Sequence, residues 1–299
     1  MKISNYIFVL IVGFMLFSAC TSSKSDSAAL LPELATAESI MYEHPDSALH
    51  ILESMPMPNT TDKFQQATWA LLMTQARYKN YVEQSDTLIN MAYDYFINKE
   101  DAQRRAMVLY YKGAICYEHK QIEEAQEWCL KAAEEVEKTQ DYLLAHLVYM
   151  EIGNLYLRRS FYEYALANLE KALYYAQLAK NDSYICSSYI HLARVTSALS
   201  QIETSIEYYK ETIQISEKIQ EDGMCVDAMN EMAGMYMRMH DYEKALMYSK
   251  RSLNIKKEQN ISFLEPSFLV LGDIFLRVVI KVLTNLKRFH RLVNSTLSI

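Results

Sequence analysis

Four small residues recur along this chain at a strict spacing of 40: Gly113, Gly153, Ala193 and Ala233. Twelve residues after each stands Ala125, Ala165, Ser205 or Ala245, and nineteen after each stands Ala132, Ala172, Thr212 or Ser252. Three small positions held at fixed offsets in four successive stretches mean that the chain is built from copies of one unit. The stretch Tyr149–Leu173 shows what the unit is. Tyr149, Gly153 and Tyr156 are four and three residues apart, and so are Ala165, Leu169 and Ala172. Each trio therefore lies on one face of a helix, and the short turn between them folds the two faces together. Small residues at the crossing, Gly153 against Ala165, let the two backbones approach closely.

Composition agrees with a helical array. Apolar residues make up 51% and charged residues 22%, which excludes a mainly disordered chain. The 6 glycines and 5 prolines are few, and no proline lies between Pro58 and Pro266, so long uninterrupted helices are permitted.

The repeat resembles the tetratricopeptide family in a 40-residue form with extended second helices, over about Ala106 to Gln259. Tyr156 and Tyr236 fill the first-helix aromatic site, which Cys116 and Thr196 replace elsewhere, and Tyr209 fills the second-helix site. The turns RSFYEYA (159–165) and MHDYEKA (239–245) fit best. The resemblance implies an all-α, right-handed superhelical solenoid of antiparallel helix pairs, with the first helix of each pair lining a concave peptide-binding wall. One period upstream lies a degenerate unit around Met73, with Trp69 before it and Ser85 and Ala92 after it, so the array is expected over 59–264. Residues 31–58 read as an N-terminal helix pair turning at His44-Pro45-Asp46, similar to the opening pair of Bacteroidetes tetratricopeptide lipoproteins and regulators. Phe268, Gly272 and Phe275 begin a further unit, but Thr284 and Arg291 then occupy its two small sites. Residues 265–299 are thus an incomplete repeat and a basic tail. A capping helix, a partner-binding helix and an altered reading frame all account for it.

At the start, Lys2 and the apolar run Ile7–Phe17 have the make-up of a secretory signal over 1–19. Phe17-Ser18-Ala19-Cys20 resembles a bacterial lipobox, which makes Cys20 the expected lipidation site and the small polar stretch within 20–30 a tether. The expectation is a protein anchored by lipid in the bacterial cell envelope, on the periplasmic face or at the cell surface.

The chain offers no catalytic constellation. Its 7 histidines fall outside metal-ligand spacing, and it has neither a glycine-rich phosphate loop nor a nucleophile elbow. No enzyme activity, cofactor or metal is expected. Cys116 and Cys129 occupy facing sites of one repeat and read as buried thiols, with a disulfide as the alternative. A net charge of −7 gives no support to direct nucleic-acid binding.

Counting from each crossing residue, positions three before, one after and four to five after are expected to face the groove. They give Tyr110 and Tyr117, Asn154 and Arg158, Arg194, and Asn230 and Arg238, with Thr74 and Arg77 from the degenerate unit. Asparagine can satisfy a peptide N–H and C=O together, and arginine grips a carboxylate with two bonds. An anionic or C-terminal peptide segment of a protein partner is the expected ligand, although plain solvation of exposed helix faces accounts for the same residues. The leading expectation is a lipid-anchored, exported scaffold for protein–protein contacts. The alternative is the sensory half of a transcription regulator, and an uptake accessory that binds carbohydrate has only aromatic content behind it.

Overall fold

In the computed structural model, residues 29–59, 61–258 and Thr284 are described. The expected signal segment 1–19, Cys20, nearly all of the tether, and the incomplete repeat and basic tail of 265–299 apart from Thr284 lie outside these residues. The described residues form helices, and they divide into two compact units between Val82 and Glu83.

The first unit contains three helices, α1 (Pro32–Ile40), α2 (Pro45–Ser54) and α3 (Lys63–Lys79). Proline opens both α1 and α2, where its missing N–H costs nothing. Leu34, Leu52, Leu71 and Leu72 are fully buried between the helices. Polar side chains fasten the bundle: the Asn80 amide donates to the Pro45 carbonyl at 2.8 Å, and the Trp69 indole N–H to the Leu52 carbonyl at 3.3 Å.

The second unit starts with α4 (Thr87–Phe96), which packs on α5 (Ala102–Glu118). Pairs of equal design follow: α5 with α6 (Ile122–Val136), α7 (Tyr142–Arg158) with α8 (Tyr162–Leu178), α9 (Asp182–Ala198) with α10 (Ile202–Ile219), and α11 (Asp222–Arg238) with α12 (Tyr242–Glu258).

The 40-residue period extends from the side chains into the backbone. Lys120, Ser160, Ser200 and His240, the turn residues within the four pairs, all adopt left-handed φ of 61–64° although none is glycine. After each, the N–H of Gln121, Phe161, Gln201 or Asp241 bonds back to a carbonyl five residues earlier at 2.9–3.0 Å, closing the helix end. The first helices are opened by Asp101, Asp141 and Asn181, whose side chains accept from the N–H three residues on. Glu221, next in that series, makes no such cap.

The small residues sit where the backbones meet. Ala125, Ala165, Ser205 and Ala245 are fully buried, as are Ala132, Ala172, Thr212 and Ser252. A Cβ on Gly113 would lie 2.6 Å from the Cys129 sulfur, and one on Gly153 would lie 2.7 Å from the Leu169 side chain. Cys116 and Cys129 are both free thiols.

Candidate functional site

In α7, α9 and α11, four of the positions that escape burial fall on one face of each helix. In α7 they are Leu147, Glu151, Asn154 and Arg158; in α9, Ser187, His191, Arg194 and Ala198; in α11, Asp227, Glu231, Gly234 and Arg238. The steps are four, three and four in every case, which is a single stripe along a helix. Three of the same four positions in α5, Met107, Tyr111 and Ala114, are buried and only Glu118 at the helix end is exposed, so the stripe does not continue along α5. Tyr189 and Asn230 are also partly exposed, but each turns to a second helix: Tyr189 stacks on Tyr208 at 5.6 Å, and Asn230 accepts from the Ser252 hydroxyl at 2.8 Å.

The three helices follow one another in the array, and cross-repeat contacts tie the α9 and α11 stripes together and α7 to α5. Arg194, one residue past the crossing in α9, reaches Glu231 of α11 at 3.3 Å. The Arg238 guanidinium donates to the Ser197 hydroxyl at 3.3 Å, and two junctions earlier Arg158 lies 5.2 Å above the ring of Tyr117. The contact between the end of one first helix and the next is thus made by an arginine in two of the three junctions.

Two polar atoms on the wall are left over. Glu151 Oε1 and His191 Nδ1 are sealed from solvent, and neither finds a hydrogen-bond partner within the protein. Burial pushes the Glu151 carboxyl up to about 7, against a lowering pull from Arg158. It pulls His191 down to about 4, helped by Arg194 and His146.

The residues expected to line the groove divide accordingly. Asn154, Arg158, Arg194 and Arg238 lie on the wall. Tyr117 sits half-buried beneath Arg158. Tyr110 does not line it: only 3% exposed, it packs edge-on against Tyr111 in the core. Asn230 lies off the stripe. Thr74 is fully buried, its hydroxyl bonded to the Ala70 carbonyl, and Arg77 stands 4.0 Å from Glu53 within the first unit. Glu151 and His191 were missed, although helix geometry places them. At 100° per residue, three positions before the crossing residue lie only 60° from it, whereas the residues six and two before and one and five after cluster at about 100–160°.

A separate cavity of about 250 Å³ is lined by Asp86, Lys112, Cys116 and His119 among others. Its groups are already engaged: Lys112 binds Asn90 and lies over the Trp128 ring, and His119 Nε2 is 3.2 Å from the Gln84 carbonyl. Burial pushes the Cys116 thiol up, away from the reactive thiolate. Among the described residues no group of three or more His, Cys, Asp or Glu is placed to hold a metal ion.

No protein-family model and no curated protein matches the chain. Solved structures do. The chain aligns with a Signal Transduction ATPase with Numerous Domains carrying a tetratricopeptide repeat sensor, from Pyrococcus horikoshii, at 19% identity and a TM-score of 0.67, over 82% of this chain and 38% of that one. This chain thus spans well under half of that protein's length. The apo form of the quorum sensor NprR from B. thuringiensis is 17% identical with a TM-score of 0.64, over 82% and 70% of the two chains. A Rap protein complexed with competence and sporulation factor is 15% identical with a TM-score of 0.62, over 87% and 74%. At these identities the likeness shows the fold, an all-α solenoid of antiparallel helix pairs of the tetratricopeptide type.

These likenesses also correct the expected function and location. These three proteins are described as a signal-transduction ATPase with a repeat sensor, a quorum sensor and a factor-bound Rap protein, not as envelope lipoproteins. The reading of a lipid-anchored, exported scaffold in the cell envelope does not stand against them; Cys20 itself lies outside the described residues. Among the described residues no helix is long and apolar enough to cross a membrane.

Proposed function

We propose that the chain is a non-catalytic peptide-binding module that serves as the sensory part of a regulatory protein. The observation that carries this is the single wall on α7, α9 and α11, which presents polar and charged side chains in register across three repeats. A peptide is the ligand such a wall suits, because its own backbone repeats donors and acceptors that Asn154 and the arginines can meet. The sensor likeness supports a regulatory setting, and the absence of any catalytic constellation in the sequence supports a binding role.

The charge of the wall does not favour an anion. Arg158, Arg194 and Arg238 are balanced by Glu151, Asp227 and Glu231, and Arg194 already holds Glu231. Selection of peptides from a random display library on the full chain, followed by titration against an Asn154→Ala, Arg194→Ala double variant, tests the proposal. Loss of two hydrogen-bonding side chains should weaken selected peptides at least ~10-fold. Equal affinity for the double variant, with its circular dichroism unchanged, would remove the wall as the site.

A further inference from the structure

By the 40-residue register, the residue one past the crossing in each first helix corresponds to the residue two before the crossing in the next. In α9 and α11 these are Arg194 and Glu231, a closed ion pair at 3.3 Å. One junction earlier the register matches Asn154 with His191, and one earlier again Ala114 with Glu151. Glu151 therefore stands where Glu231 stands, but the place of its arginine is taken by an alanine that is fully buried and has no donor. The outcome is visible at the atoms: Glu151 Oε1 is sealed from solvent without a hydrogen-bond partner, and so is His191 Nδ1 in the neighbouring helix.

A buried carboxylate oxygen without a donor is costly and calls for one from outside. The other charged group acting on it from its own helix is Arg158, which lies over Tyr117; from the helix packed behind it, the Cys129 thiol is near enough to feel its charge. Neither is hydrogen-bonded to it.

Resting on the peptide-binding reading above, we propose that Glu151 is the anchor for a basic side chain, lysine or arginine, of the bound peptide. The incoming cation takes the place that Arg194 holds for Glu231. His191, at the same position of the next first helix, offers a second unpartnered nitrogen to a neighbouring residue of the peptide. Because the Glu151 side chain as a whole is only partly buried, its carboxylate can turn toward the incoming group. A basic residue then supplies both a donor and the missing counter-charge, a neutral donor only the first, and an acidic residue adds repulsion.

The test uses the full chain and pools of N-acetylated, C-amidated random hexapeptides, each pool fixing one residue type at one position. Blocking both termini removes the N-terminal amine as a rival cation. Pools that fix Lys or Arg at one position should be retained roughly 10-fold better than those that fix Leu or Glu there. The preference should vanish in Glu151→Gln and persist in Glu163→Gln, a change on the exposed side of α8. A Lys or Arg preference that survives Glu151→Gln overturns the proposal, as does retention without any such preference; in both cases the peptide-binding reading stands. Retention of no pool at all sinks both together.

Discussion

The imidazole of His146 lies flat against the phenol ring of Tyr184, with 4.6 Å between centres and 14° between planes. Its Nδ1 is 3.1 Å from the Ala172 carbonyl, which can only accept, so that nitrogen carries the proton. One side chain thus ties together α7, α8 and α9. Burial pulls its pKa down to about 4, and His191 on α9 shares that value.

The folded state therefore favours both rings neutral. Their folded pKa is below the unfolded one, so the stability they contribute is complete above pH 6.5 and is lost as pH falls toward 4. Between pH 6.5 and 5 the loss for fully buried His146 alone is about 2 kcal/mol. Glu151 runs the other way: its folded pKa of about 7 lies above the unfolded value, so stability is gained as pH falls from 7 toward 4.5. Urea midpoints taken from pH 7 to 5 should fall more steeply in Glu151→Gln than in the parent, and less steeply in His146→Gln. Parallel curves for all three would show that neither group is shifted.

Two helical glycines, Gly153 at a crossing and Gly234 one residue past one, should answer alanine in opposite directions. At Gly153 the new Cβ would press on Leu169 at 2.7 Å, while at Gly234 it meets nothing within 4 Å. Gly153→Ala is expected to destabilise by roughly 1–3 kcal/mol through overpacking, and Gly234→Ala to stabilise by roughly 0.5–1 kcal/mol through helix propensity. Thermal or urea denaturation of the pair checks both signs.

Ser160 and Ser200 hold left-handed backbone at φ 62° and 63°. Glycine there relieves the clash of Cβ with the carbonyl but adds freedom to the unfolded chain, for a net gain of about 0.5–1 kcal/mol each. Valine at the same sites should destabilise. The two serines are a full repeat apart, so urea denaturation should show the glycine gains adding in the double variant.

The Arg194–Glu231 pair is roughly half exposed, at 40% and 46% for the two side chains. A double-mutant cycle should give a coupling below about 1 kcal/mol, screened away near 1 M salt. The pair then orders the wall without holding up the fold, and a binding defect in Arg194→Ala reflects lost contacts.

The fold was legible because its determinants are periodic and local. Small residues at the crossing, twelve and nineteen residues on, survive as a pattern even where the aromatic sites are filled by Cys116 or Thr196. The wall was legible only in part. Asn154, Arg158, Arg194 and Arg238 came from the correct helix angle, whereas Tyr110 and Asn230 came from a position 60° from the crossing, where packing wins. The importance of Glu151 could not be read from its own residue type. It depends on what the preceding repeat places opposite it, Ala114 in one junction and Arg194 in another, and that comparison needs the stripes laid side by side. The division after Val82 was likewise invisible to a 40-residue ruler, which runs through Met73 and Ala92 as one unit.

Glu221 leaves uncapped the helix that also carries Gly234, whereas Asp101, Asp141 and Asn181 secure the starts of the three before it. In a linear array each repeat is held only by its neighbours, so this difference sets a direction. Protection of backbone amides against exchange should decline from α7 toward α11, and the pair α11–α12 should open first. A peptide laid from Glu151 to Glu231 would grip a firm repeat at one end and a yielding one at the other. Binding would then be reported at the yielding end, as slowed exchange in α11, well away from the carboxylate that anchors it.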